Sequence, residues 1–324
     1  MRAVRFYGAG DIRGSAEVVS NLHEYTCGPH LVPLTPHAIT GGKLPTTLGH
    51  EFSGIVEEVG AAVADAVADL KVGDRVAVRP NLSDGSCPPC LRGTPNCCRN
   101  LGFVGYSRGL SDHVVVDADH AIPLPDTIPL DIGALIEPLS VAWHAADHSP
   151  LEGARTVLVV GGVPIGLAVV QVLFARGVES IVVATRLPRR REFASKLGAT
   201  HVLDPRTQDV VSMVQAMTGN AGADVAFECS GVQAGLDTAL RGIRVRGTVT
   251  IVSLWEAKPI VDAQAIVLDE KHVIGAAIFA DGIFPAVIEA ISSARFEWKT
   301  LSRKFEALIH EKDKHVKILV DISA

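Results

Sequence analysis

The sequence has no block of lysine and arginine. Thirty basic residues stand against thirty-six acidic ones, a net charge of -6, and the one tight basic run, LPRRRE (187–192), is short and opens a predicted helix. That leaves no electrostatic footprint for nucleic acid. An apolar leader is lacking too: MRAVRFYGAG (1–10) carries charge at once, which argues against secretion and predicts a cytoplasmic protein. There is no internal repeat and no low-complexity linker. Only TVLVVGGVPIGLAVVQVLFA (156–175) is long and uncharged, with the roughly 20 residues that a membrane span needs. Its β-branched first part and central GGVP read instead as a buried strand, a turn and a helix, so no membrane partner is expected.

What is present suits a soluble globular protein. Of 324 residues, 48% are hydrophobic and 20% charged, and a chain of this length favours two domains. Up to residue 135, the runs FSGIVEEVG (52–60), DRVAVRP (74–80), DHVVVDADH (112–120) and AIPLP (121–125) alternate with glycine and proline. They predict a small β-barrel or sandwich. From residue 153 the rhythm changes. RTVLVVGG, SIVVATR, HVLDP, ADVAFECSG, GTVTIVS and HVIGAAIF are strand candidates, separated by the helical stretches IGLAVVQVLFARG, RREFASKLG, TQDVVSMVQAMTG and QAGLDTALRG. Alternating strands and helices predict a doubly wound α/β parallel sheet. FPAVIEAISSARF (284–296) and KHVKILVDI (314–322) read as a helix and a strand returning to the first domain.

Four of six cysteines lie in DGSCPPCLRGTPNCC (84–98), among prolines and glycines that predict neither a regular helix nor a strand. In a reducing cytosol such thiols point to metal or catalytic roles rather than disulfides. A second motif is VVGGVPIGL (159–167), a strand feeding a glycine turn and then a helix, the context of a dinucleotide site. Gly161 supplies the tight turn, Gly166 lets helix and sheet approach, and the helix N-terminus offers N–H groups to a pyrophosphate. The turn comprises Gly161, Gly162, Val163, Pro164, Ile165 and Gly166, with Val163 where the middle glycine of G-x-G-x-x-G belongs. A side chain there would crowd the phosphates unless Gly162 adjusts the turn. The second strand ends in Thr185 and Arg186, with Arg189 and Arg190 close by, where NAD binding calls for an acid. Guanidinium groups in that place suit a 2′-phosphate, so NADP is favoured over NAD.

These motifs, together with MRAVRFYGAGDIR (1–13), LPTTLGHEFSGIVEEVG (44–60), GALIEPLSVAWHA (133–145), FECSGVQAGLDTAL (227–240) and KHVKILV (314–320), resemble the zinc-containing medium-chain dehydrogenase/reductase family. The likeness is to its 2,3-butanediol and sorbitol dehydrogenase branch. It implies a GroES-like catalytic domain (1–140 with 281–324), a Rossmann domain (141–280), and a homo-oligomer. It also implies hydride transfer between NAD(P) and a secondary alcohol, vicinal diol or polyol, or the matching ketone. The family's structural-zinc spacing C-x2-C-x2-C-x7-C falls here on Asp84, Cys87, Cys90 and Cys98, while Cys97 is out of register. His50 is implied as a catalytic zinc ligand, Glu51 as a ligand or immediate neighbour, and Glu137 as the acid at the same metal. Ser20 and His23 stand at the proton-relay positions.

The resemblance has departures. In VVSNLH (18–23), Val18 replaces the family's ligand cysteine and Asn21 an orienting aspartate; Cys27 is a substitute thiolate in sequence only. The chain is short between Ile12 and Val18 and again after TLSRK (300–304), through real losses or a fault in the gene reading. Two rival readings follow: a reductase without catalytic zinc, and a degenerate scaffold without catalysis. Cys229 reads as a packed small residue, and His144, His201 and His272, with no paired spacing, as ordinary polar or core residues.

Overall fold

In the computed structural model, which describes residues 5–8, 11–13, 34–47, 49–60, 70–103, 109 and 111–293 and gives the first two stretches as backbone only, the N-terminal β-rich runs form small antiparallel sheets. Strands β1 (Arg5–Gly8), β2 (Asp11–Arg13) and β3 (Thr46–Thr47) pair in the order β2-β1-β3. β4 (Ser53–Ile55) pairs with β5 (Arg75–Val78), whose Val76, Ala77 and Val78 are buried. β6 (Asn81–Leu82) and β7 (Gly102–Phe103) form a two-stranded ribbon, and β8 (Ala121–Pro123) returns to β5.

Two expectations for this region fail. The run 112–120 forms no ladder beyond a bridge at Ser111; it is irregular up to a 3-10 turn at Ala118–His120. Its residues alternate in exposure as a strand's would, with Val114 and Val116 half-buried and Val115 87% exposed, yet the alternation is not accompanied by strand pairing over 112–117 among the described residues. The cysteine loop, expected to hold no helix, contains a single turn, α1 (Pro88–Leu91), and a 3-10 turn at Pro95–Cys97. Each opens on proline, which suits the first helical position because its missing N–H is not needed there. After α2 (Leu130–Gly133) comes α3 (Ile136–Asp147), which the strand-and-turn rhythm does not foretell. Its signal is the buried stripe Leu139, Ala142 and Ala146, the spacing of one helix face.

The other half follows its sequence rhythm closely. β9 (Thr156–Val160), α4 (Pro164–Ala175), β10 (Ser180–Ala184), α5 (Pro188–Lys196), β11 (His201–Leu203), α6 (Val210–Met217), β12 (Ala223–Glu228) and α7 (Gln233–Gly242) alternate in order. β13 (Ile243–Ile251) starts directly after α7, earlier than its glycine suggested; α8 (Ala263–Leu268), capped by the Asp262 side chain, and β14 (His272–Gly275) follow. The parallel sheet runs β11-β10-β9-β12-β13-β14, which, counted from β9, is the doubly wound order 3-2-1-4-5-6. Val157, Leu158, Val159, Ile181, Val182, Val183 and Phe227 are fully buried, each such side chain contributing about 1.5–3 kcal/mol of transfer free energy.

The described residues fall into two compact units, one up to Glu137 together with those from Ala280 onwards, the other Pro138–Phe279. The amphipathic run at 284–296 supplies α9 (Ile283–Ser292) to the first unit. The expected strand at 314–322 lies outside the described residues. The uncharged stretch 156–175 resolves into β9, a turn and α4, and no helix among the described residues is long and apolar enough to cross a membrane.

Candidate metal centres and nucleotide site

The cysteine loop gathers its donors before any ion is considered. Asp84, Cys87, Cys90 and Cys98 place one ligand atom each within 4.8 Å of one another. Cys87 Sγ lies 3.4 Å from Cys90 Sγ and 3.8 Å from Cys98 Sγ. Tetrahedral zinc, about 2.3 Å from each sulfur, requires sulfurs about 3.8 Å apart. The loop therefore fits zinc. Main-chain N–H groups of Asp84 and Asn100 point at Cys98 Sγ, each at 3.3 Å, and that of Arg99 at Cys87 Sγ, at 3.5 Å. The Arg99 N–H draws the Cys87 thiol below its usual range, whereas burial, with the neighbouring sulfurs, pushes Cys90 up to about 12. A divalent ion overrides both, because a coordinating thiol is deprotonated outright.

Asp84 completes the set as a carboxylate. Its Oδ1 accepts from the N–H groups of Ser86 and Cys87, both at 2.9 Å, and its Oδ2 from the Asn100 side-chain amide at 2.8 Å. The Cys87 and Ser86 N–H bonds, then Asn100, hold its carboxyl well below the ordinary range. It is ionised wherever zinc would be bound.

A second group of donors forms in the same unit. His50, Glu51 and Glu137 bring one ligand atom each within 4.8 Å of one another. Gly49, at φ +101°, makes the turn that presents the first two, and its carbonyl accepts from Gly109 N–H at 2.8 Å. The His50 ring stacks on Phe103, centroids 4.8 Å apart and planes inclined by 23°. Glu137 is buried in the first turn of α3. Two carboxylates so close repel each other, and burying one is costly without a compensating cation. One imidazole and two carboxylates are a donor set that suits a divalent zinc ion.

The glycine turn closes β9 onto α4. Gly161 adopts φ +104° and donates its N–H to Ala184 O at 2.9 Å. A Cβ on Gly166 would lie 1.9 Å from Gly161 O, and one on Gly162 would lie 2.7 Å from Thr185 Oγ1. Gly162 is thus a close-approach glycine and does not reshape the turn. Val163 is the helix N-cap in extended conformation, φ −72° and ψ 168°, where a side chain is tolerated; no side chain caps α4. Thr185 is buried at the end of β10 and Arg186 exposed beside it. Arg189 is engaged on its own helix, paired to Glu192 at 2.5 Å and packed over Phe193. Arg191 donates to Thr185 O, Arg186 O and Asp204 Oδ2, at 3.3, 2.6 and 2.9 Å, and so fixes the strand end.

Comparison with known proteins decides what this combination belongs to. The family model for the alcohol dehydrogenase GroES-like domain matches residues 25–126, and that for zinc-binding dehydrogenase residues 164–293. The (R,R)-butanediol dehydrogenase of Neisseria gonorrhoeae is 33% identical, with 99% of each chain covered. The chain belongs to the zinc-containing medium-chain dehydrogenase/reductase family. A crystal structure of 2R,3R-butanediol dehydrogenase from Bacillus subtilis superposes with a TM-score of 0.87, at 34% identity and 98% coverage of both chains. An NADP-bound crystal structure of a putative zinc-binding dehydrogenase from Sinorhizobium meliloti superposes at 0.80, with 29% identity, covering 92% of this chain and 90% of that one. The fold is thus GroES-like in its first unit and Rossmann-type in its second. The Neisseria alignment runs over 355 positions, more than the 324 residues here, so that dehydrogenase carries segments this chain lacks.

Asp84 is the one carboxylate of the loop's donor group, and the described donors of the second group include no thiolate. Val18, Ser20, Asn21, His23 and Cys27 lie outside the described residues. Cys97 is exposed and outside the loop's donor group. Cys229 is buried against Gly166, and burial, then Glu228, pushes its thiol well above the ordinary range. His144 corrects one expectation: it does have a partner, His148, four residues on and just past the end of α3, with ring centroids 5.8 Å apart. Burial, then His148, lowers its pKa. The i, i+4 spacing was the available signal. Asn100 and Phe103, which orient Asp84 and His50, carry no sequence signal of their own.

Proposed function

We propose that this chain is a zinc-dependent oxidoreductase that moves hydride between NAD(P) and a secondary alcohol, vicinal diol or polyol, or the matching ketone. The convergence of His50, Glu51 and Glu137 carries this reading. Bound zinc supplies Lewis acidity toward the substrate oxygen, and bound nicotinamide gives or takes the hydride. His50 and Glu137 would hold the ion, with Glu51 beside them as ligand or charge partner. Ser20 Oγ and the His23 ring would pass the alcohol proton to solvent. Asp84, Cys87, Cys90 and Cys98 would hold a second, structural ion. Gly161 to Gly166 would receive the pyrophosphate at the start of α4. Thr185 and the exposed Arg186 support a 2′-phosphate over a ribose diol, hence NADP.

Metal analysis with nucleotide titration tests the assignment. Two zinc ions per chain and tighter binding of NADPH than NADH are expected, together with diol-dependent reduction of the nucleotide. Val18, in place of a ligand cysteine, favours a second reading, a reductase without the catalytic ion. One zinc per chain with carbonyl reduction intact would replace the first reading by that one.

Homo-oligomerisation belongs to the same proposal. Leu254, Ile260, Val267 and Leu268, between β13 and β14, and Val273 on β14 itself are exposed, and such apolar surface at the outermost described strand of the sheet suits association. Light scattering should give a multiple of the chain mass; a monomer would refute self-association.

A further inference from the structure

Glu228, the last residue of β12, is fully buried, at 0% exposure. No cationic side chain pairs with it among the described residues, a costly arrangement for a carboxylate. Four donor groups surround it instead. Oε1 accepts from Ser230 N–H at 2.7 Å, Ser230 Oγ at 2.5 Å and Gly231 N–H at 3.1 Å. Oε2 accepts from the Ser253 hydroxyl. The Glu228 main-chain carbonyl accepts from Val252 and Ser253 N–H, at 2.9 and 3.2 Å. Every partner is a donor, as an ionised carboxylate requires. One side chain thereby ties the loop after β12 to the loop after β13.

Those loops lie where a doubly wound sheet binds its ligand, at the carboxyl ends of the strands beside the switch point. Glu228 is in register with Val160, the end of β9. A Cβ on Gly161 would lie 2.9 Å from Ser230 N, so the Ser230 backbone abuts the glycine turn itself. A Cβ on Gly235 of α7 would meet Ser230 Oγ at 1.9 Å and Glu228 Oε1 at 2.9 Å, so nothing larger than glycine fits behind the cluster. We propose that Glu228 is a positioning residue for the cofactor: it clamps the Ser230–Gly231 turn and the Ser253 loop into one fixed wall of the nucleotide crevice, without touching the nucleotide. This rests on the dinucleotide reading of the glycine turn.

Glu228→Gln keeps the shape but puts an amide donor against a ring of donors, and Ser253→Ala removes only the Oε2 arm. With an acceptor of charge-assisted bonds lost, Kd for both NADPH and NADH should rise about tenfold in Glu228→Gln. Ser253→Ala should shift both in the same direction by less. The NADPH-to-NADH ratio and the zinc content should stay at wild-type values, because Thr185 and the metal donors are untouched. A melting temperature that falls while both Kd values hold would assign Glu228 to stability alone and overturn the proposal. If Glu228→Gln does not fold, Ser253→Ala decides, and wild-type affinity in that variant counts against the clamp. Wild-type protein that binds neither nucleotide would instead refute the dinucleotide reading and the clamp with it.

Discussion

His50→Ala is expected to lower kcat/KM toward a vicinal diol by about a thousandfold, with the melting temperature and NADPH affinity close to wild type. A thousandfold is about 4 kcal/mol, within the several kcal/mol that a Lewis acid lends to the developing charge on a substrate oxygen. Among the described residues three donors are available to such an ion, and His50 is the only nitrogen among them. Removing it leaves two carboxylates whose mutual repulsion no longer has a well-placed ion to offset it, so the zinc count should fall from two per chain to one. The loop of Asp84, Cys87, Cys90 and Cys98 is a separate donor group and should keep its own ion. Glu137→Gln, which keeps the shape but removes a charge, should lose zinc in the same way. A His50→Ala protein that keeps diol oxidation within about tenfold of wild type, less than 1.4 kcal/mol, would remove His50 from the metal site.

Much of this was legible in the sequence because it is local. The cysteine loop spans fifteen consecutive residues, Asp84 to Cys98, so its thiols stand together in the sequence, although the place of Asp84 among them comes from the family resemblance. The turn from β9 to α4 is local in the same sense, with Gly161 at φ +104° and Gly166 against Gly161 O. The parallel sheet announced itself through runs such as TVLVV, which must be apolar on both faces. Contacts between distant segments were not readable without the family resemblance. Glu137 meets His50 only through the fold, and the Phe103 stack depends on where β7 places a ring. Run 112–120 shows the opposite error: β-branched residues with strand-like alternation form no ladder among the described residues. Propensity measures fit to a pleated surface that must already exist. Glu228 was hidden for another reason, since a lone acid in FECSG looks the same whether it faces solvent or holds two loops.

The glycine turn carries the other large effect. In Gly166→Ala the new Cβ would meet Gly161 O at 1.9 Å, a backbone atom that no rotamer change can move. Gly161 cannot withdraw, because it is held at φ +104° with the Ser230 backbone directly behind it. Helix α4 must therefore lift from β9, although its own Leu167, Val169, Val170, Val172 and Leu173 are buried. Overpacking of this kind costs about 1–3 kcal/mol, or about 2–12 °C in melting temperature for a domain of this size. The N–H groups that would meet the pyrophosphate move with the helix, so NADPH affinity should weaken by about a hundredfold, roughly the loss of two charge-assisted bonds. Val163→Gly is the matching control. Its backbone is extended and needs no glycine, and glycine is if anything the better N-cap, so restoring the fingerprint should leave stability within about 0.5 kcal/mol. Gly166→Ala protein with an unchanged melting temperature and unchanged NADPH affinity would mean that the turn is not the cofactor's seat.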